Sequence, residues 1–166
     1  MTPDTLETLL LSHLKKNARL SIQDLVDMTR ATAKEIEEIL DNLEKSGAIA
    51  QYTTIINEDL LKKSPSLIRA LIEVSVRPEK KTGYDAVAKR ISAHPNVVSH
   101  YLLSGNYDFL VIVEGSTLQE ISQFVSELAS LENVRSTGTH FILKKYKESG
   151  VHFLSEESEN RLAIVP

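Results

Sequence analysis

The chain has 166 residues, a formal net charge of −4 and 42% hydrophobic residues, values typical of a globular protein. It contains no cysteine, which excludes disulfides, thiolate zinc sites, iron–sulfur clusters and cysteine nucleophiles. No apolar stretch approaches the roughly 20 residues of a membrane helix, and the first residues lack the basic leader of a signal peptide. We therefore expect a soluble, cytoplasmic protein with no membrane contact.

The first predicted elements are three helices. Leucines at helical spacing after Pro3 predict the first helix. Ser21 and Thr32 are candidate N-caps for the second and third, because each is followed three positions later by an acidic residue. Gly47 is the stop signal of the third helix. Three helices in about 45 residues predict a helix-turn-helix whose third helix enters a major groove of DNA.

The run 48–57 is rich in residues that favour strands, so we expect a wing or an extended arm there. Residues 62–66 have the composition of a loop. We assign residues 1–60 to a helix-turn-helix domain with a β arm, residues 61–150 to a second domain, and residues 151–166 to a C-terminal tail.

The second domain is predicted to follow the order βαββαβ. Apolar and polar residues alternate in the first strand, and the third is apolar on both faces, so we expect helices on one side and another surface, such as a second subunit, on the other. The predicted elements are strands at 67–76, 97–103, 109–114 and about 134–147, and helices at about 82–93 and 118–131, the latter burying Leu118, Ile121, Val125 and Leu128. This order predicts an α+β fold, an N-terminal winged helix-turn-helix followed by a ferredoxin-like domain.

Four segments of the chain have a recognisable pattern: LEKSGAI at 43–49, YTTIIN at 52–57, LLSGNYDFLV at 102–111 and THFILKKYK at 139–147. In these segments the chain resembles the Lrp/AsnC family, the feast/famine regulators. The resemblance implies a transcription regulator that binds double-stranded DNA and senses a free amino acid between subunits. It also implies that the C-terminal domains dimerise sheet to sheet and assemble further into tetramers or octamers.

The turn between the second and third strands has two interpretations. As a hairpin turn it needs no ligand, because Gly105 permits a positive φ and Asp108 can accept local hydrogen bonds. As an effector site it would offer the carboxylate of Asp108 to a ligand ammonium, while amides and hydroxyls receive the ligand carboxylate. The resemblance favours the second interpretation, and the candidate effector residues are Ser104, Gly105, Asn106, Tyr107, Asp108, Ser136, Thr137 and Thr139.

The predicted DNA-binding half is the acidic half of the chain. Residues 1–60 hold six Lys and Arg against eleven Asp and Glu, a balance of −5. Phosphate neutralisation by Lys and Arg supplies most non-specific DNA affinity, so either affinity per subunit is weak and restored by oligomerisation, or the domain no longer binds DNA. The candidate DNA contacts are Thr32, Lys34, Glu37, Glu38 and Asp41 on the groove side, with Arg19 and Arg30 toward phosphates.

We expect no enzyme activity, metal or cofactor. The five histidines show no paired metal spacing, and the six glycines form no phosphate-binding loop. Two alternatives to a DNA-binding regulator stay open. One is a sensor subunit that does not bind DNA and co-assembles with a paralogue. The other is an enzyme similar to the sirohaem decarboxylases, which share this two-domain layout.

Overall fold

The computed structural model describes residues 3–61, 67–78 and 83–153. The chain divides into two compact units, Met1–Ile56 and Asn57–Pro166. The loop predicted at 62–66, the helix start predicted at Thr82 and tail residues 154–166 lie outside the described residues.

The first unit consists of helices α1 (Pro3–Leu14), α2 (Ile22–Thr29) and α3 (Ala33–Lys45). Leu6, Leu10, Leu25 and Ile36 form its buried core, with one or two residues from each helix. Both predicted N-caps are confirmed, since Ser21 and Thr32 each form a capping box with the acidic residue three positions later. These caps begin α2 and α3 at defined residues and so fix the turn between them.

The run 48–57 contains no strand, so of the two predicted forms, a wing and an extended arm, it takes the second. Ile49 donates a backbone hydrogen bond to the Leu43 carbonyl, and Tyr52 donates its hydroxyl to the Glu44 carboxylate at 2.8 Å. Ile55 and Ile56 are exposed. A strand requires a neighbouring strand to pair with, and this segment pairs with none among the described residues of its unit, so it is an arm on α3 and not a wing.

The described residues of the second unit form a four-stranded antiparallel sheet with two helices. The elements are β1 (Ile68–Val76), α4 (Asp85–Ser92), β2 (Val97–Leu102), β3 (Phe109–Gly115), α5 (Leu118–Ala129) and β4 (Val134–Phe141). A short 3₁₀ turn, Glu58–Leu60, precedes them. The sheet order is β2-β3-β1-β4, which with two crossing helices is the predicted ferredoxin-like fold.

The core of this unit lies between one face of the sheet and the two helices. Alternate residues of β1 and β3 are fully buried on that face, as the sequence pattern predicts: Ala70, Ile72, Val74, Val76, Phe109, Val111 and Val113. The opposite, open face carries apolar side chains that are only half-buried, among them Leu71, Leu110 and Ile112. This asymmetry leaves an apolar surface available to another subunit.

The predicted burial of Leu118 is wrong, because its side chain is 56% exposed. Ile121, Phe124 and Leu128 form the buried stripe of α5. At 100° per residue, Leu118 lies about 90° around the helix from the centre of that stripe. Val125 lies nearer the stripe and is half-buried.

The last strand is shorter than predicted. β4 leaves the sheet after Phe141, which pairs with Ala70 near the start of β1. The chain then forms a small hairpin, β5 (Lys147–Glu148) and β6 (Val151–His152). Its turn residues, Ser149 and Gly150, have φ of 47° and 86°, the left-handed pair that a two-residue hairpin requires.

Candidate functional site

The loop 104–108 joins β2 to β3 at one end of the sheet. Leu103 donates its backbone N–H to the Asp108 carbonyl at 2.8 Å, which closes the loop, and Asp108 donates its own N–H to the Val74 carbonyl. Gly105 has a φ of 156°, a value that L side chains rarely adopt, and apart from its two chain neighbours no described residue comes within 4 Å of a Cβ built there. Ser104, Gly105 and Asn106 are exposed, so this end of the loop is open to a ligand.

The carboxylate of Asp108 is occupied by contacts within the chain. One oxygen accepts the backbone N–H of Val76 at 2.8 Å, and the other accepts the hydroxyl of Tyr84 at 2.9 Å. Tyr84 precedes α4 and packs edge-on against Phe109, with ring centroids 5.7 Å apart. The hydrogen bond to Asp108 raises the pKa of the Tyr84 hydroxyl. Asp108 therefore ties the loop to β1 and α4, a structural role that does not depend on a ligand.

Tyr107 points its hydroxyl toward the open face of the sheet. The negative charge of Glu73 raises the pKa of Tyr107, and a hydrogen bond between the two side chains acts in the same direction. Nε2 of His140 lies 3.5 Å from the same carboxylate. Glu73 therefore stands at the centre of a small polar cluster that borders the loop on the open face.

The three candidate hydroxyls of β4 do not lie together. Ser136 pairs with Ser75 and therefore faces the open side, whereas Thr137 and Thr139 pair with Val74 and Ile72 on the helix side. Thr139 is about 10 Å along the strand from Ser136. The structure thus places Ser136 and Thr137 at the loop's end of the sheet, on opposite faces, and Thr139 farther away.

An open cleft of about 600 Å³ lies at the same end of the sheet. Its lining residues are Arg77, Glu132, Val134 and Arg135. Arg77 and Asn133 are held together by a backbone hydrogen bond of 2.8 Å. Sequence reasoning did not select these residues, nor Tyr84, because their proximity depends on a pairing between β1 and β4 that the sequence does not specify.

A β-bulge places Arg135 at this cleft. Ser75 pairs with Ser136 and the next residue, Val76, pairs with Val134, so Arg135 is the extra residue of β4. A bulge interrupts the alternation of a strand and redirects the side chain that it contains. The positive charge of Arg135 counteracts, in part, the rise in the pKa of Tyr84, which sets this guanidinium near the Tyr84–Asp108 contact.

The surface of α3 is acidic and its lysines are paired. Lys34 lies 3.8 Å from Glu38, and Lys45 lies 2.5 Å from Asp41, each one helical turn away on the same helix. Thr32 and Glu35 are joined in the capping box, and the Thr32 hydroxyl lowers the pKa of Glu35. Exposed Glu37 carries an additional negative charge. Of the candidate groove-facing residues, none offers a cation free of an acidic neighbour.

Unpaired cations of the first unit lie outside α3. Lys15, Lys16 and Arg19 lie between α1 and α2, and Arg30 occupies the turn between α2 and α3. All four are exposed, and none forms a salt bridge with a residue that the structure describes. Arg30 caps α2 in the left-handed conformation, with φ 60° and ψ 17°. Positive charge is therefore concentrated at the ends and turns of the helices.

Among residues 3–61, 67–78 and 83–153, every helix is too short or too polar to span a membrane. These residues also bring together no group of three His, Asp or Glu side chains able to hold a metal ion.

Comparison with known proteins gives concordant matches. Residues 69–151 match the family profile of the Lrp/AsnC ligand binding domain. The chain is 36% identical over 161 residues to the uncharacterized HTH-type transcriptional regulator YugG of Bacillus subtilis, covering 96% of each chain. It is 27% identical to the HTH-type transcriptional regulator FL11 of Pyrococcus furiosus, covering 88% of this chain and 93% of the other.

A solved structure extends the likeness to the fold. The transcriptional regulator NMB0573 of Neisseria meningitidis, solved as a complex with L-Met, superposes with a TM-score of 0.67 at 25% identity. The match covers 86% of this chain and 91% of the other. The likeness therefore includes most of both chains and is not confined to the sheet.

Proposed function

Because the chain belongs to the Lrp/AsnC family, we propose that it is a DNA-binding transcription regulator that senses an amino acid between subunits of a homo-oligomer. The observation that carries the proposal is one chain with two parts: a three-helix unit with two capping boxes, and a unit that matches the family's ligand-binding domain over residues 69–151. The relatives described above are named as transcription regulators, and none of those names is that of an enzyme.

Amino-acid sensing is supported by the L-Met complex of the Neisseria regulator and by the open end of the loop 104–108. Backbone amides and the Ser104 hydroxyl at that end can donate hydrogen bonds to a ligand carboxylate. Asp108 would not contact the ligand but would position the loop, by binding the backbone N–H of Val76 and the hydroxyl of Tyr84. In this arrangement the loop is the effector contact, and Asp108 is a positioning residue.

Oligomerisation is supported by the open face of the sheet. Leu71, Leu110 and Ile112 are half-buried there, and Tyr101 is 51% exposed. A second sheet packed on this face would bury these side chains, a free-energy gain of about 25 cal/mol per Å² of apolar surface. We infer a homodimer formed through this face that assembles further into tetramers or octamers.

We assign DNA binding to the helix-turn-helix, in which Arg19 and Arg30 contact DNA phosphates. Thr32, Lys34, Glu37, Glu38 and Asp41 face the groove, where carboxylates can accept from cytosine but repel phosphates. Affinity per subunit is then low, and an oligomer presenting several such units restores it by multivalency. An effector that changes the arrangement of subunits changes the spacing of those units and thereby DNA affinity.

A second candidate is favoured by the paired lysines of α3. Lys34 and Lys45 each lie beside an acid of the same helix, so α3 lacks the free cations on which non-specific DNA affinity depends. A sensor subunit that binds the effector and co-assembles with a DNA-binding paralogue would have such a surface. This candidate retains amino-acid binding and lacks DNA binding by the homo-oligomer.

Fluorescence anisotropy distinguishes the two candidates. The probe is a labelled fragment from upstream of the protein's own gene, measured at low and moderate salt with and without a mixture of amino acids. Salt-sensitive binding that the mixture alters is the result expected of the regulator. Absence of binding at low salt, together with amino-acid binding by calorimetry, would replace it with the sensor subunit.

A further inference from the structure

We propose that the cleft of Arg77, Glu132 and Arg135 selects an amino acid with a second carboxylate, an amino dicarboxylate, as the effector. This inference rests on the proposed amino-acid sensing and names the class of ligand. It assigns the charge recognition to residues beside the loop 104–108 and not to the carboxylate of Asp108.

The charges of the cleft are the first argument. Arg77, Glu132 and Arg135 are exposed, and none of them forms a salt bridge within the described ranges. The cleft therefore presents two free guanidinium groups and one free carboxylate. A guanidinium binds a carboxylate through two parallel hydrogen bonds, and a carboxylate binds an ammonium group.

The charged groups of the cleft predict the charged groups of the ligand. An amino dicarboxylate carries two carboxylates and one ammonium group, which match two guanidinium groups and one carboxylate. A neutral amino acid has one carboxylate and leaves the second guanidinium without a partner. The side-chain amide of an amino dicarboxylate has the same shape as the acid but lacks one negative charge. The cleft should therefore discriminate between an acid and its amide by electrostatics alone.

The backbone brings Arg77 and Arg135 to the same end of the sheet. The hydrogen bond from Arg77 to the Asn133 carbonyl joins the end of β1 to the residue before β4, and the bulge directs Arg135 away from the regular alternation. The cleft of about 600 Å³ falls within the size range of small-molecule sites, about 300–1,000 Å³. Arg77 and Arg135 therefore stand at strand ends, and Glu132 lies in the turn between α5 and β4.

The cleft is also connected to the loop. Arg135 influences the Tyr84 hydroxyl, and Tyr84 donates to the Asp108 carboxylate that holds the loop. A ligand that neutralises Arg135 would reduce the positive charge near this contact.

The test is calorimetric titration of the full-length protein with matched ligand pairs. Glutamate is compared with glutamine, and aspartate with asparagine. We expect at least one acid to bind about tenfold or more tightly than its amide. Arg77→Gln and Arg135→Gln should each weaken that binding about tenfold or more. The control Arg90→Gln removes an exposed guanidinium from α4 and should leave binding unchanged.

Each other outcome overturns the inference. Binding of neutral amino acids without a preference for acids would exclude the cleft as the effector site, while amino-acid sensing itself would stand. Binding of acids that is unaffected by both substitutions would place the ligand elsewhere. If no amino acid binds, amino-acid sensing fails as well. If the double substitution Arg77→Gln and Arg135→Gln lowers the mass of the oligomer in the absence of ligand, the cleft instead holds an acidic group of a second copy of the chain.

Discussion

The carboxylate of Asp108 accepts the hydroxyl of Tyr84 at 2.9 Å, and this contact joins the loop after β2 to the start of α4. The second oxygen of the same carboxylate accepts the N–H of Val76, a residue that is only 3% exposed. One side chain thus satisfies two donors from different elements, and the loop geometry depends on it.

Asp108→Ala should therefore destabilise the fold. The substitution leaves the buried Val76 N–H without its partner, which costs about 1–3 kcal/mol in free energy of unfolding. Urea unfolding monitored by circular dichroism measures the change. Asn106→Ala, at an exposed position of the same loop, is the control and should have little effect. Equal stability of the two variants would contradict the structural role of Asp108.

Tyr84→Phe separates that structural role from ligand binding. The phenyl ring can keep its packing against Phe109, while one oxygen of Asp108 loses its donor. If Asp108 is a positioning residue, we expect weaker effector binding in calorimetry because the loop is less firmly held. Tighter binding would show instead that the freed oxygen receives the ligand ammonium. Tyr146→Phe, an exposed tyrosine after β4, is the matched control.

Replacing Glu37 and Glu38 together with Gln should raise DNA affinity. The change removes two negative charges from α3 and releases Lys34 from its acidic neighbour. A gain of about 1 kcal/mol corresponds to about fivefold in affinity at low salt, and it should diminish as salt screens the charges. Anisotropy titrations at two salt concentrations measure both effects. Glu7→Gln on α1 is the control, and an equal gain there would assign the effect to net charge.

Arg30 combines backbone strain with a candidate phosphate contact. Its φ of 60° is costly for most L residues, but Asn tolerates this conformation and a β-branched residue does not. Arg30→Asn should therefore retain stability, whereas Arg30→Val should lose about 1–2 kcal/mol in urea unfolding. Both remove the charge, so both should weaken DNA binding. A loss of DNA affinity in Arg30→Val alone would assign the effect to the turn and not to the charge.

The local features of the fold could be predicted from the sequence because they depend on neighbouring residues. Ser21 and Thr32, each with an acidic residue three positions later, predict the starts of α2 and α3. The alternation of apolar and polar residues in β1 predicts its buried face. The exposure of Leu118 could not be predicted, since the phase of a helix against its sheet is decided by tertiary packing. The strand propensity of 48–57 was misleading for a similar reason, because a strand needs a partner.

The candidate site could be predicted only in part. GNYD at 105–108 marks the loop, but the donors that occupy Asp108 come from residues 24 and 32 positions away in the sequence. The bulge at Arg135 leaves no pattern in the sequence, because it is a property of the register between β1 and β4. Long-range contacts therefore changed the interpretation of Asp108 and brought Arg77 and Arg135 to the site.

Stability should fall at acidic pH through the ion pairs of the small hairpin. Glu148 accepts from Lys145 and from Arg69, and Arg69 also contacts Glu114 on β3. The hydrogen bond from Lys145, and then the Arg69 contact, lower the pKa of Glu148 from its usual value of 4.5. Since the folded pKa is depressed, the stabilisation is complete above about pH 4.5 and is lost as pH falls through the lower, folded pKa.

Glu148→Gln should consequently have a lower Tm than the parent at pH 7, and the difference should shrink as pH falls below about 4.5. Differential scanning calorimetry at pH 7, 5, 4 and 3 measures both curves. Glu132→Gln is the control, because Glu132 forms no salt bridge with the part of the chain that the structure describes. A difference between Glu148→Gln and the parent that stays constant down to pH 3 would contradict the assignment. The hairpin would then be held against β1 by packing and not by the charge of Glu148.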